Sequence, residues 1–217
     1  MSKPLPSIIV FDGIIAAGKT TLINKLVEQL TGKSLTVTVI PEPVDEWVKS
    51  GILERFYTDK ERWGYFFQTK AFLDRVRIIR EYIEKYSDTT DIFLLERSPD
   101  SDKIFMKALY ESKFIDELEW KTYKEWCDEW VRILPRTPTH SVYIKVDVEE
   151  AMSRIRQRNR DSEELIPIEY QEQLSRIHDD TFLVDTLLMG DGSVKVPSII
   201  IQSGDYSIET LLKFIQS

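Results

Sequence analysis

The sequence has few of the residues that build disulfides and zinc sites. Its 217 residues include one cysteine, Cys127, and two histidines, His140 and His178, which lie far apart in the chain. A single cysteine excludes an internal disulfide and a cysteine zinc site, and two distant histidines argue against any zinc site. No apolar run has the length of a membrane span, and the N-terminal segment has no signal-like apolar run. We therefore expect a cytoplasmic protein with no membrane partner.

The chain also lacks an excess of basic residues. It has 29 lysines and arginines against 37 aspartates and glutamates, which gives a net charge of −8. Proteins that bind nucleic acid usually carry a basic face, so we expect no nucleic-acid partner. Hydrophobic residues make up 42%, an ordinary fraction for a globular protein. Because no repeat, linker or low-complexity segment interrupts the sequence, we expect residues 1–217 to form a single domain.

A phosphate-binding loop lies between a predicted strand and a predicted helix. Residues 8–11 form an apolar run typical of a buried strand, and apolar residues recur at helical spacing from Leu22 to Leu30. The segment between them has the pattern G-x-x-x-x-G-K-T, formed by Gly13, Ile14, Ile15, Ala16, Ala17, Gly18, Lys19 and Thr20 and followed by Thr21. In this pattern the glycines let backbone N–H groups approach a phosphate, the lysine adds a positive charge, and the threonine hydroxyl can hold Mg²⁺.

Strand-like and helical segments alternate along the rest of the chain. Further strands are predicted at 35–40, 91–95, 141–146 and 196–201, and helices at 59–86, 115–133, 148–158 and 208–215. This alternation predicts an α/β fold with a five-stranded parallel sheet that carries helices on both faces. Ligands of such sheets bind beyond the carboxyl ends of the strands.

Charged residues follow two of these strands. Glu42 comes after the second strand, between two prolines, where a carboxylate can act as a general base toward a hydroxyl. A solvated turn glutamate is the simpler interpretation, but the nearby phosphate loop favours the catalytic one. Glu96 could orient water on Mg²⁺, and Arg97 could pair with a phosphate or with Glu42, although a structural ion pair at a strand end stays open. Asp102 lies near the start of a helix, where capping is an ordinary role.

Four arginines, at positions 154, 156, 158 and 160, fall at the end of a predicted helix. Arg154 and Arg158 share one helical face. A mobile lid carrying them would stabilise the charge that spreads over the oxygens of a transferring phosphoryl group. The competing interpretation is a solvated basic face, which the helix dipole favours at a C-terminus.

Together with several more motifs, these residues resemble the deoxynucleoside kinase family. The further motifs run in order along nearly the whole chain: E-P-V-D-E-W from Glu42 to Trp47, Tyr57, E-R-W at 61–63, F-Q-T at 67–69, Arg75, E-R-S-x-x-S-D from Glu96 to Asp102, and I-P-I-E-Y at 166–170. The resemblance implies a P-loop kinase fold with an arginine-rich lid at about 154–166. It implies transfer of the γ-phosphate of ATP, or of another nucleoside triphosphate, to the 5′-hydroxyl of a deoxynucleoside. It also implies a homodimer built from helix pairs.

The resemblance assigns the reacting groups and the donor site. Glu42 would take the proton from the 5′-hydroxyl with Arg97 beside it, and Lys19 would hold the donor phosphates. Thr20 and Glu96 would hold Mg²⁺. The donor would also contact the rest of the phosphate loop. The lid arginines would be Arg154, Arg158 and Arg160, and Asp205 and Tyr206 would lie near the base of the donor.

The resemblance also implies how the acceptor would be held. Tyr57 and Glu163 would clamp the 3′-hydroxyl of the sugar. Gln68, Arg75 and Asp102 would read the edge of the base. Trp47 and Phe67 would pack around it. For the dimer, we expect the interface at the long helix around Phe72 and at the tryptophan-bearing helix 115–133.

The charges of Arg75 and Asp102 narrow the choice of base. Asp102 accepts hydrogen bonds while it is ionised, which favours a base edge with an amino group or a protonated nitrogen over thymine. Thymidine-preferring relatives usually carry a small apolar residue in place of this aspartate. Deoxycytidine and purine-deoxynucleoside relatives place a phenylalanine on the base where this chain has Met106, which predicts a looser base slot. The choice between cytosine and purine stays open.

Two other functions are compatible with a phosphate loop. A nucleoside monophosphate kinase, such as a thymidylate kinase, would need a basic pocket for its acceptor phosphate near the second strand. This chain has Glu42, Asp45 and Glu46 there, and these carboxylates would repel a phosphate. A nucleotide-binding regulatory protein is the alternative from a different class. The guanine-reading pattern N-K-x-D of a GTPase is not formed, since Asn24 and Lys25 lie in the first predicted helix without the aspartate.

Overall fold

The computed structural model describes residues 4–183, 186–189 and 194–216. A sheet runs through the middle of the molecule, with strand order β2-β3-β1-β4-β6-β5. Its strands are β1 Ser7–Asp12, β2 Val37–Ile40, β3 Ile92–Glu96, β4 His140–Lys145, β5 Thr186–Met189 and β6 Val194–Gln202.

The first four strands and β6 pair in parallel. This confirms the predicted five-stranded parallel sheet and the α/β class. A sixth strand that was not predicted, β5, pairs antiparallel with β6 at the edge of the sheet. Its four residues follow a helix closely and form too short a pattern to stand apart from it.

Helices connect the parallel strands, as parallel pairing requires. They are α1 Lys19–Thr31, α2 Val44–Lys49, α3 Ile52–Thr58, α4 Lys60–Tyr86, α5 Pro99–Glu111, α6 Glu117–Arg132, α7 Val148–Arg158, α8 Ile168–Phe182 and α9 Ile208–Ile215, with a short 3-10 helix at Glu163–Leu165. The four long helices predicted above are confirmed within about two residues at each end, the usual precision of helix boundaries. The short α2 and α3 were not predicted, because six or seven residues give little periodicity.

Local caps explain where two of the helices begin. The Asp59 side chain accepts a hydrogen bond from the Arg62 backbone N–H, which satisfies one of the free donors at the start of α4. Ser98 and Ser101 form a reciprocal capping box that starts α5 directly after β3. This cap holds the chain immediately beyond the charged end of β3.

The sheet is buried on both faces, and β1 shows this by its alternation. Ile8 and Val10 pack in a cluster that includes Ile79 of α4, whereas Ile9 and Phe11 belong to the larger cluster that contains α1. Side chains alternate between the two faces of a strand, so helices cover both sides. No helix in the described ranges is long and apolar enough to cross a membrane.

Phe72 of α4 belongs to the core rather than to a surface. It is buried, and its ring lies 5.9 Å from the ring of Tyr123 on α6. The expectation that a dimer interface centres on Phe72 is therefore wrong in that detail. Apolar side chains that are exposed on the same two helices include Phe66 on α4 and Trp126 on α6.

Candidate active site

The carboxyl ends of β1, β2 and β3 bring most of the predicted site residues to one cleft. This follows from the parallel sheet, because the segments that leave these strands emerge at the same edge. The predicted residues that line the cleft are Ile15, Ala16, Lys19, Thr20, Glu42, Trp47, Tyr57, Phe67, Gln68, Arg75, Glu96, Arg97, Asp102, Arg158, Arg160 and Glu163.

The phosphate loop closes one end of the cleft and has the backbone that its sequence predicts. Gly13 has φ +150°, and a Cβ placed there would lie 2.6 Å from the carbonyl oxygen of Ile144. Gly18 has φ +98° and immediately precedes α1. Side chains at these positions would clash or be strained, so both glycines are needed for the loop to fold back onto the helix N-terminus.

Lys19 is held against the loop that contains it. Its Nζ lies 3.1 Å from the carbonyl oxygen of Ile14 and 3.4 Å from that of Gly13. Burial lowers the pKa of Lys19 to about 8, and the nearby Arg97 guanidinium acts in the same direction. A phosphate bound in the loop would favour the charged form of this amine.

Arg75 of α4 connects the two carboxylates of the cleft. Its Nη2 donates to Glu42 Oε1 at 2.8 Å, and its Nε and Nη2 donate to the two oxygens of Asp102 at 2.8 and 3.1 Å. The remaining nitrogen, Nη1, donates to the carbonyl oxygen of Glu96 at 3.1 Å. One buried guanidinium thus holds the predicted base-reading aspartate and the predicted catalytic glutamate in fixed positions.

Glu42 is ionised at neutral pH in this environment. Burial opposes ionisation, but Arg75 and Arg97 outweigh it and lower the pKa of Glu42 to about 2. Burial raises the pKa of Asp102, and the paired contact with Arg75 opposes that effect. A carboxylate with a pKa of about 2 is a weak base in free solution, so its usefulness depends on being held next to the reacting hydroxyl.

Arg97 has a strained backbone directly after β3. Its φ is +63°, in the left-handed region that a side chain rarely adopts, and its N–H donates to the carbonyl oxygen of Phe11 at 3.1 Å. The guanidinium lies over the ring of Phe105 at 4.6 Å and reaches Glu42 Oε1 at 3.5 Å. Strain of this kind persists where the surrounding structure over-determines it, often at a functional site.

Asp12 is a charged residue of this centre that the sequence analysis missed. It is fully buried at the end of β1, and its Oδ1 lies 4.0 Å from Nη1 of Arg97. Burial raises the pKa of Asp12 to about 6, while Arg97 opposes the rise. The sequence contained a signal, because Asp12 directly follows the apolar run of a buried strand and directly precedes the phosphate loop.

An aromatic pocket forms the other end of the cleft. The rings of Trp47 and Phe67 lie edge to face at 5.4 Å, and the Trp47 indole N–H donates to Asp74 at 2.9 Å. The expectation that Met106 lies against the base is wrong, because Met106 is fully buried and is not among the described residues that line the cleft. The preceding residue, Phe105, lines the cleft instead.

The three lid arginines divide between the two ends of the cleft. Arg158 makes a paired contact with Glu163, both distances being 2.6 Å, and Arg160 contacts the same carboxylate at 3.2 Å. Arg154 points to the phosphate loop, where its Nη1 donates to the carbonyl oxygen of Ala16 at 3.3 Å and to Ser203 Oγ at 3.0 Å. Arg158 and Arg160 thus pair with an acid on the pocket side, whereas Arg154 lies beside the loop and pairs with Glu150 of its own helix.

The predicted Mg²⁺ ligands line the cleft, whereas the residues predicted near the donor base are not among the described lining residues. The Thr20 hydroxyl donates to Glu96 Oε2 at 2.9 Å beside the loop, so two hard oxygen ligands lie together there. Asp205 and Tyr206 follow β6 and are not among the described cleft-lining residues; Lys25 Nζ lies 5.8 Å from the centre of the Tyr206 ring. Ser203, which was not predicted, connects this segment to the loop by donating to the carbonyl oxygen of Ala17 at 2.9 Å.

A phosphate loop that faces a carboxylate and an aromatic pocket across one cleft defines a P-loop kinase of small molecules. The sequence profile of the deoxynucleoside kinase family matches residues 9–208, and the chain belongs to this family. It is 34% identical over 200 residues to deoxycytidine kinase of Mus musculus, which covers 81% of this chain and 75% of the relative. It is 28% identical over 219 residues to mitochondrial thymidine kinase 2 of Homo sapiens, which covers 99% of this chain and 77% of the relative.

The substitution Asp12→Asn tests the buried charge at the end of β1. An aspartate in an unfolded chain has a pKa near 3.9, so a pKa of about 6 in the folded protein means that ionised Asp12 lowers stability by about 3 kcal/mol above pH 7. The folded state binds this proton more tightly, so the penalty disappears as the pH falls through 6 toward 4. We expect Asp12→Asn to unfold at higher denaturant concentration than the parent at pH 8 and at a similar concentration at pH 4.

The control is the same substitution at a solvent-exposed carboxylate, and Asp88, an exposed turn residue, is suitable. Asp88→Asn should match the parent at both pH values. A pH-independent loss of stability in Asp12→Asn would contradict the assignment.

Proposed function

We propose that this protein transfers the γ-phosphate of a nucleoside triphosphate to the 5′-hydroxyl of a deoxynucleoside, a reaction of nucleotide salvage. The observation that carries the proposal is the position of Glu42, a carboxylate held ionised by two arginines between the phosphate loop and the aromatic pocket. Glu42 would accept the hydroxyl proton, Arg97 would stabilise the charge that develops beside it, and Lys19 would contact the donor phosphates. Phosphoryl transfer depends mainly on such positioning and cationic stabilisation.

ATP with Mg²⁺ is our proposed donor. The Thr20 hydroxyl and the Glu96 carboxylate lie together beside the loop, and Mg²⁺ is usually held by one or two such protein oxygens together with phosphates and water. Bound there, the ion would neutralise part of the phosphate charge. The loop N–H groups and Arg154 would bind the phosphates, and the segment of Asp205 and Tyr206 would lie near the donor base.

For the acceptor we propose a preference for deoxycytidine or purine deoxynucleosides over thymidine. Gln68, Arg75 and Asp102 would read the base edge, with Trp47 and Phe67 packed around it. Ionised Asp102 accepts hydrogen bonds, so it suits a base that offers an amino group. A relative named deoxycytidine kinase is more similar in sequence than one named thymidine kinase 2, which agrees with this choice.

The sugar would lie between the base pocket and the loop. Tyr57 and Glu163 would hold its 3′-hydroxyl, and both line the cleft. We propose that residues 154–166 act as the lid, because Glu163 connects the acceptor pocket to Arg158 and Arg160. Glu163 would then bind the 3′-hydroxyl of the sugar and orient Arg158 and Arg160 toward the phosphoryl group that is transferred.

A nucleoside monophosphate kinase is the alternative enzyme. Its acceptor would bring a phosphate into the part of the cleft that Glu42 and Asp45 line. Two carboxylates there disfavour a second phosphate. A purely regulatory nucleotide-binding protein would not need an ionised carboxylate in front of the loop.

We further propose a single kinase domain that spans residues 1–217, acts in the cytoplasm and forms a homodimer. The family profile over 9–208 supports one domain. The lone cysteine, Cys127, is buried and unpaired by any disulfide, as is usual in reducing compartments. The helices α4 and α6 pack together and expose Phe66 and Trp126, each about half accessible, which supports a partner surface on this side.

Glu42→Gln tests the general base. The amide keeps the shape of the side chain but cannot take a proton, so we expect kcat to fall by about 10²–10⁴-fold while the KM for the deoxynucleoside changes little. ADP release in the presence of each natural deoxynucleoside measures both constants. Glu46→Gln on the exposed side of α2 is the control and should behave like the parent; unchanged turnover in Glu42→Gln would refute the role.

Asp102→Ala tests base selection. Removing the acceptor should lower kcat/KM for deoxycytidine or purine deoxynucleosides relative to thymidine by about tenfold or more, because a buried polar mismatch discriminates strongly. The ratio of kcat/KM values is independent of how much enzyme folds. Asp100→Ala on the same helix serves as the control, and a parent-like ranking of substrates in Asp102→Ala would count against the role.

The dimer is tested by sedimentation velocity. The parent should sediment as a dimer of the 25.5 kDa chain, and Phe66→Ser should shift it toward monomer. Leu183→Ser, which removes an exposed apolar side chain at the end of α8, should leave the dimer intact. A parent that is monomeric at micromolar concentration would rule out the proposed interface.

A further inference from the structure

Five consecutive carbonyl groups of the phosphate loop, those of residues 13–17, are contacted by side chains. Lys19 contacts those of Gly13 and Ile14 from within the loop motif. The next three carbonyls are held by residues from elsewhere in the chain: that of Ile15 by Gln171, that of Ala16 by Arg154 and that of Ala17 by Ser203.

Holding a carbonyl also orients an amide. In a planar trans peptide the C=O of one residue and the N–H of the next point in opposite directions. Gln171 is not among the described residues that line the cleft, so a contact that holds the Ile15 carbonyl toward Gln171 aims the N–H of Ala16 away from Gln171. Ala16 lines the cleft and has φ +62°, a conformation that needs external support in a residue with a side chain. Successive inward N–H groups are what make such a loop an anion site.

Gln171 differs from the other two outside anchors. It is fully buried, and its Nε2 donates to the Ile15 carbonyl oxygen at 2.9 Å across 156 residues of chain. Its Oε1 is buried and has no hydrogen-bond partner among the described residues. A buried amide oxygen without a partner lowers stability, so packing alone does not account for an amide at this position.

The helix that carries Gln171 also contacts the acceptor side of the cleft. Tyr170, the preceding residue, is buried, and its ring lies 6.3 Å from the ring of Phe56, another cleft-lining residue. The helix begins at Ile168, shortly after the short 3-10 helix that contains Glu163. One helical turn therefore contacts the donor loop through Gln171 and the acceptor pocket through Tyr170.

We propose that Gln171 is a positioning residue for phosphoryl transfer, which holds the phosphate loop in its anion-binding conformation before the donor arrives. It does so through the Ile15 carbonyl and contacts no substrate itself. The inference rests on the proposed role of the loop as the site of the triphosphate donor. Because this hydrogen bond is buried and already formed without the donor, we expect its loss to weaken binding of the donor rather than binding of the acceptor.

The test is Gln171→Met, which keeps the unbranched shape of the side chain and removes the donated hydrogen bond. We expect the KM for ATP to rise about tenfold, because the variant loses one hydrogen bond and leaves the Ile15 carbonyl without its partner. The KM for the deoxynucleoside should change less than about twofold. Binding of ATP in the absence of acceptor, measured by calorimetry, should weaken by the same factor.

Gln173 provides a matched control on the same helix. Its Nε2 donates to the Ala108 carbonyl oxygen of α5 at 3.0 Å, and its Oε1 accepts from Ser112 at 3.0 Å. Gln173→Met therefore removes the same kind of donated bond, and one accepted bond, away from the loop. This variant should keep the parent's KM for ATP even if it is less stable. Equal changes of the KM for ATP in the two variants, or a rise in Gln171→Met that is equal for ATP and the deoxynucleoside, would overturn the proposal.

Two further outcomes are informative. If Gln171→Met does not fold, Gln171→Asn replaces it, since the shorter amide cannot reach the carbonyl; failure of both to fold would show a role in folding and overturn the proposal. If the parent releases no ADP with any deoxynucleoside, the proposed function has failed. If the parent is active and Gln171→Met has the parent's KM for ATP, only this inference has failed.

Discussion

The site depends on one buried cation, Arg75. Its guanidinium donates to Glu42, to both oxygens of Asp102 and to the backbone of Glu96, which together come from the ends of two strands and from one helix. Removing it would leave Asp102 buried without its ion-pair partner, a situation that typically costs about 3–5 kcal/mol, and would leave Glu42 with Arg97 at 3.5 Å. Because the same cation holds Glu42 and Asp102, the proposed general base and the proposed base-reading residue share a single electrostatic support.

A second constraint acts on the donor side. A phosphate loop binds anions only while its N–H groups point inward, and this chain enforces that arrangement by occupying the carbonyls from outside. The supporting side chains come from α7, α8 and the segment after β6, so three elements distant in sequence converge on three consecutive loop residues, Ile15 to Ala17. The helix α8 contacts the phosphate loop through Gln171 and the aromatic end of the cleft through Tyr170.

Features that arise from local sequence were predictable. The loop, the parallel strands and the cleft positions of Glu42 and Arg97 follow from short motifs and from the rule that parallel strands end at one edge. Asp12 was missed although its place at the end of an apolar strand was a local signal. Gln171 was missed because its contact is made across the fold and the sequence around it looks like an ordinary helix. The Met106 prediction failed because a shift of one residue along α5 moves a side chain by about 100° around the helix. Phe72 faces inward because its ring packs in the core against Tyr123 of α6.

The central claim is that Glu42 faces a sugar hydroxyl across from a bound triphosphate. The most direct measurement is a crystal structure of the protein with a deoxynucleoside and a non-transferable ATP analogue. The account predicts a Glu42 oxygen within about 3.2 Å of the 5′-hydroxyl, with the analogue's terminal phosphate in the loop. A Glu42 side chain turned away from the sugar, or a second phosphate group bound where the sugar is expected, would contradict it.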